Sequence, residues 1–81
     1  MPTIHRESGF RYFFYSNEGN EPPHVHVEGH GGEMKVWLNP IGVDFSYDLS
    51  ASNERSILGV VRRNANLFME QWYGFAAQKR R

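Results

Sequence analysis

The stretch Pro22-Pro23-His24-Val25-His26-Val27-Glu28 decides how the chain folds. Valine is β-branched and favours extended backbone, and its alternation with histidine has the two-residue period of a β-strand. Successive strand side chains point to opposite faces. Val25 and Val27 are therefore assigned to the core, and His24, His26 and Glu28 to an accessible surface on the other side. Pro22 and Pro23 hold the chain extended at the strand's entrance, where a fixed φ and a missing N–H interrupt no ladder.

Upstream, Thr3–Arg6 reads as a short first strand and Ser8-Gly9 as a turn. In Phe10–Tyr15 both alternating faces are mostly aromatic, which predicts a central strand covered on both sides. Ser16–Glu21 has loop composition. Downstream, Gly29-His30-Gly31-Gly32 reads as a flexible connector into Glu33–Leu38, where Met34, Val36 and Leu38 share a face. Asn39-Pro40 marks a turn before Ile41, Val43 and Phe45, which continue the two-residue period. Links this short favour antiparallel neighbours, because parallel pairs need long crossovers.

From Ser50 the period changes. Ile57, Val60, Val61, Asn64, Leu67, Phe68, Trp72 and Phe75 recur at helical spacing, with Ser50 as the cap and Glu54 in the first turns. Uninterrupted, such a helix would be about 40 Å long, so its end should overhang the sheet around Trp72–Phe75. The expectation is an α+β fold: an antiparallel sheet of four to five short strands with one long C-terminal helix packed on a face. Residues 1–78 form the domain, with strands in 1–48, the helix over about 51–77, and 79–81 as a basic tail.

A chain of 81 residues allows one small core, and its twelve aromatic residues supply much of the burial. With no cysteine there is neither a disulfide framework nor a thiolate metal site. No apolar run has membrane-spanning length and the first residues are polar, so the expectation is a cytoplasmic protein with no membrane partner. The net charge is zero, yet residues 1–48 hold three basic groups against seven acidic, and residues 49–81 six basic against two acidic. An acidic sheet half and a basic helical half follow.

His24 and His26 are the candidate catalytic residues. Two residues apart on a strand, their Cα atoms lie about 6.5–7 Å from each other, so both rings can reach one group. Imidazole exchanges protons near neutral pH. One ring could take the 2′-hydroxyl proton of RNA while the other protonates the leaving oxygen, with Arg11, Arg62 or Arg63 stabilising the phosphorane charge. Arg62 and Arg63 are also the candidate phosphate-binding residues of the helix. No cofactor is expected on this reading; the alternative is a divalent metal such as zinc held by His24 and His26 with further donors. Tyr15, Asn17 and Asn20 join Arg11 as candidate binding residues around the pair; a third reading leaves the histidines chemically inert, hydrogen-bonded to backbone or to those same three side chains. A nucleotide hydrolase with three alternating histidines is excluded, since position 28 is glutamate.

The segments Gly9–Tyr15, Ser16-Asn17-Glu18 and Asn20-Glu21-Pro22-Pro23-His24-Val25-His26-Val27 resemble the small bacterial proteins grouped as domain of unknown function 4160. Gly32–Pro40 and the helix bearing Asn64, Leu67 and Trp72 extend the resemblance over nearly the whole chain. Arg62-Arg63 and Lys79-Arg80-Arg81 depart from it by making the helix more basic. The resemblance implies the toxin-like component of a two-protein toxin–antitoxin-type module, with a small cognate protein encoded nearby as partner, and supplies no reaction. The acid–base reading of the His-x-His patch adds the enzyme version of that expectation, a metal-independent ribonuclease with RNA as a further partner. The competing expectation is a non-catalytic regulatory module that binds protein or nucleic acid.

Overall fold

The alternation over residues 24–27 becomes the middle strand of a five-stranded sheet. The computed structural model describes residues 3–15 and 20–79, the last three by backbone alone. Its elements are β1 (Thr3–Glu7), β2 (Phe10–Phe13), β3 (His24–Gly29), β4 (Gly32–Leu38), β5 (Ile41–Tyr47), α1 (Ala51–Arg63) and α2 (Ala65–Lys79). All neighbouring strands are antiparallel and their spatial order is their sequence order. The central strand is consequently β3. β2 lies second and ends at Phe13, although both of its faces are covered as its aromatic content implies.

The hairpin turns are tight. Ser8 and Gly9 join β1 to β2 with φ of 55° and 82°, and His30 and Gly31 join β3 to β4 with φ of 51° and 83°. Paired positive φ values are what two-residue hairpin turns need to match strand twist. Residues 29–32 are thus not a flexible connector. The His30 ring lies against Phe10, 4.7 Å between centroids, and covers the first turn. A methyl group at Gly9 would sit 2.7 Å from His30 Nε2, so glycine is needed there both for its φ and for this approach.

Valines 25, 27 and 36, with Tyr12, Met34 and Leu38, form the helix-covered face. Ile57, Val60 and Val61 of α1 and Phe68 and Trp72 of α2 complete the same core. Ser50 caps α1 as its position suggests, its Oγ accepting the Asn53 N–H at 3.0 Å. The single long helix is corrected to two. At Asn64 the backbone leaves helical geometry (φ −115°, ψ 14°), and the side-chain Nδ2 donates to the Val60 carbonyl at 2.8 Å. That carbonyl also accepts the Asn64 N–H, so one residue draws the helix end inward and redirects the chain. The redirection corrects the overhang too: Trp72 is buried against Phe14, 5.2 Å between centroids.

Phe68 is fully enclosed, next to His5 and Tyr12. Phe68→Ala is expected to cost about 3–5 kcal/mol. In a urea titration the midpoint should fall with the slope unchanged.

Candidate functional site

His24 and His26 do leave β3 on the same side, with ring centroids 5.2 Å apart. They do not reach an accessible surface. His24 is 0% and His26 3% exposed, which corrects the expected open imidazole row. The cause is packing by five aromatic side chains. Trp37 is paired with His24 across β3 and β4, 5.4 Å between ring centroids, and Trp72 comes in from α2 at 4.7 Å. Phe13 stacks on His26 at 5.7 Å, Tyr15 meets it edge-on at 4.4 Å, and Phe45 lies beyond at 6.2 Å.

Each ring has a polar neighbour. His24 Nδ1 donates to the Pro22 carbonyl at 2.9 Å, which places a proton on Nδ1 because a carbonyl only accepts. His26 Nδ1 lies 3.5 Å from Glu33 Oε2. Among the described residues no group of three or more histidines and carboxylates is placed to hold a metal ion.

Beside His26, the register brings up Lys35, which sequence reading gave no role. Its side chain is nearly buried, yet its Nζ meets Glu21 Oε1 at 2.7 Å and Asp44 Oδ2 at 3.3 Å and lies 4.6 Å from the Trp37 ring centre. Burial works against the ammonium, but the two carboxylates outweigh it and raise the Lys35 pKa above its ordinary value. Asp44 is available because a register shift between Lys35 and Val36 admits an extra residue in β5. The alternation of Glu33, Lys35 and Trp37 was visible in the sequence; the strand register that sets Lys35 beside His26 was not.

The remaining candidates separate. Arg11 stays near the histidine side, its Nε and Nη2 both 3.0 Å from Glu28 Oε1, its Nη1 donating to Thr3 Oγ1 at 2.9 Å, and its guanidinium 4.2 Å from the Phe13 ring centre. Tyr15 is half-buried against His26. Asn20 is exposed, and Asn17 lies outside the described residues, as do Arg80 and Arg81 of the basic tail. Arg62 is exposed on α1, while Arg63 donates to Glu7 Oε2 at 2.9 Å. That contact belongs to the β1 edge of the sheet.

Glu7 is the hub of a second polar cluster. His5 Nε2 contacts its other oxygen at 2.9 Å. The His5 contact and then Arg63 hold the Glu7 carboxyl below its ordinary pKa, against an opposing effect of burial. Tyr12 lies under His5, 5.5 Å between ring centroids, and its enclosed hydroxyl has no hydrogen-bond partner among the described residues. Burial, reinforced by the charge of Glu7, pushes the Tyr12 pKa up to about 12. A phenol so shifted is the reverse of an activated nucleophile.

The chain belongs to the family described as Domain of unknown function (DUF4160), whose model matches residues 9–73. No curated protein and no solved structure matches it. Among the described residues, no helix is long and apolar enough to cross a membrane.

Two measurements probe these contacts. His24→Ala should cost about 2–4 kcal/mol, because it opens a cavity between Trp37 and Trp72 in a closed site. The Tyr12 shift has a definite sign: a raised folded-state pKa stabilises the fold below the ordinary value of 10 and loses that contribution as pH climbs toward about 12. Lys35, also raised, is lost on the same alkaline side, above its ordinary 10.5. Tyr12→Phe should therefore leave neutral-pH stability within about 1 kcal/mol and flatten the decline above pH 10 in pH-dependent denaturation.

Proposed function

We propose that this chain is the toxin-like member of a two-protein module and that it works by binding a small cognate protein rather than by imidazole chemistry. The observation that carries this reading is the character of α2. A helix at a protein surface ordinarily has one apolar stripe and one charged face. Here Phe68 and Trp72 turn inward, but Leu67 and Tyr73 turn outward and are 45% and 59% exposed. Only Glu70 adds a charge to that stretch, and the exposed Arg62 of α1 lies just ahead of it. The partner that fits contributes apolar side chains against Leu67 and Tyr73 and a carboxylate toward Arg62.

The enclosure of the histidines supports the same reading from the other side. Proton transfer to a phosphodiester needs a ring within hydrogen-bond reach of the substrate, and at 0% and 3% exposure neither ring offers that reach without displacing its aromatic neighbours. In this reading His24, hydrogen-bonded to the Pro22 carbonyl, and His26, enclosed among aromatic rings, are packing groups.

Co-expression with the adjacent small reading frame should yield a stable heteromeric complex by native mass spectrometry. Tyr73→Glu should weaken that complex at least about tenfold while leaving the thermal midpoint nearly unchanged. Purified protein should leave RNA intact. RNA cleavage that disappears in a folded His26→Gln variant would establish the imidazole chemistry and overturn this assignment.

A further inference from the structure

The sheet face turned away from the helices carries a charged row that the partner contact on α2 does not use. Strand register aligns Arg6 of β1 with Arg11 of β2, Arg11 with Glu28 of β3, Glu28 with Glu33 of β4, and Glu33 with Tyr47 of β5. These residues line one open groove of about 740 Å³, which ends against the hairpin turns at Gly9 and Gly31. The next row along the strands is closed by its own side chains: Phe13, His26 and Lys35 are buried there. The charged row is not. Arg6, Glu28 and Tyr47 are exposed, and Tyr47 is 62% so. Among the described residues no element lies over it.

Its charges are ordered: two cations, then two anions, then an aromatic ring. We infer that this row is a two-fold interface through which two copies of the chain pair face to face. Place a two-fold axis between the copies, parallel to the strands. It keeps row over row but reverses the strand order of one copy, so Arg6 and Arg11 come to lie over Glu33 and Glu28 of the other. Each contact then occurs twice, as an isologous interface requires. Turning the axis across the strands would instead set arginine over arginine, so the charge order selects one arrangement. A partner of uniform charge would meet repulsion along half of the row. That is why a second copy, dipolar in the opposite sense, is the occupant that fits.

The interface is small. Five strands span roughly 24 Å, and only the turn end of the face takes part, which is the size range of weak, reversible association. Pairing should appear in sedimentation velocity as protein concentration rises toward millimolar at low ionic strength, and fade with added salt.

The decisive experiment uses Arg6→Glu and Glu33→Arg as separate proteins, leaving the Arg11–Glu28 pair intact. Each alone should self-associate at least about tenfold more weakly, since both copies of the contact become like-charged. An equimolar mixture should recover wild-type association, because opposite charges meet again at both contacts. Circular dichroism confirms that each variant is folded. A wild type that stays monomeric at low salt, variants that pair as well as it does, or a mixture that fails to recover each overturns the proposal. The cognate-protein contact is read separately through Tyr73→Glu, so loss of one interaction does not imply loss of the other.

Discussion

The burial of the β3–β4 valine face under α1 and α2 is the interaction on which the rest of the molecule depends. An antiparallel sheet of this size needs a packed hydrophobic face to be stable in water. Val25, Val27, Met34 and Val36 are fully enclosed and supply the centre of that face, with Ile57, Val61 and Phe68 closing it from the helices. Once those side chains are committed to one side, the period of two commits His24, His26 and Lys35 to the other. The aromatic enclosure of the histidines and the charged row beyond them are both consequences of that choice.

The second face is half closed mainly by the sheet's own side chains, with Trp72 of α2 reaching His24 at one end. Large flat side chains do the covering. Arg11 lies on Phe13, Tyr15 meets both Phe13 and His26, and the Lys35 ammonium lies near the ring of Trp37. Carboxylates from the segment before β3 and from β5 then neutralise the lysine. Buried polar groups of this kind cost free energy unless each is paired, and removing one partner is more damaging than never having had the network. The histidines are accordingly tied into packing and charge balance together. Nearby imidazoles in a sequence therefore do not mark a site until their accessibility is known.

Much of the architecture was legible in the residues. The Val-x-Val alternation, the polar turns and the change to helical spacing after Ser50 gave the α+β class, the antiparallel pairing and the capping serine. What escaped was set by relations between distant residues. Asn64 sits on the apolar stripe and reads as one more helical position; only its side chain turning back to the Val60 carbonyl breaks the helix. The enclosure of His24 needed Trp72, distant in sequence, and alternation alone says which face a ring takes, not what covers it. Lys35 beside His26 and Arg63 on Glu7 likewise follow from register and helix placement.

The meander has a consequence for how the chain is made. Every strand pairs with the one synthesised just before it, so the sheet can assemble from sequence-local contacts as it leaves the ribosome. Its cover arrives late, because Phe68 and Trp72 follow the whole sheet in sequence. Until they emerge, the enclosed valines and Met34 form a naked apolar surface between the outer strands β1 and β5, the condition under which nascent chains stick to one another. The interval between completing β5 and releasing α2 is when this protein most needs a chaperone.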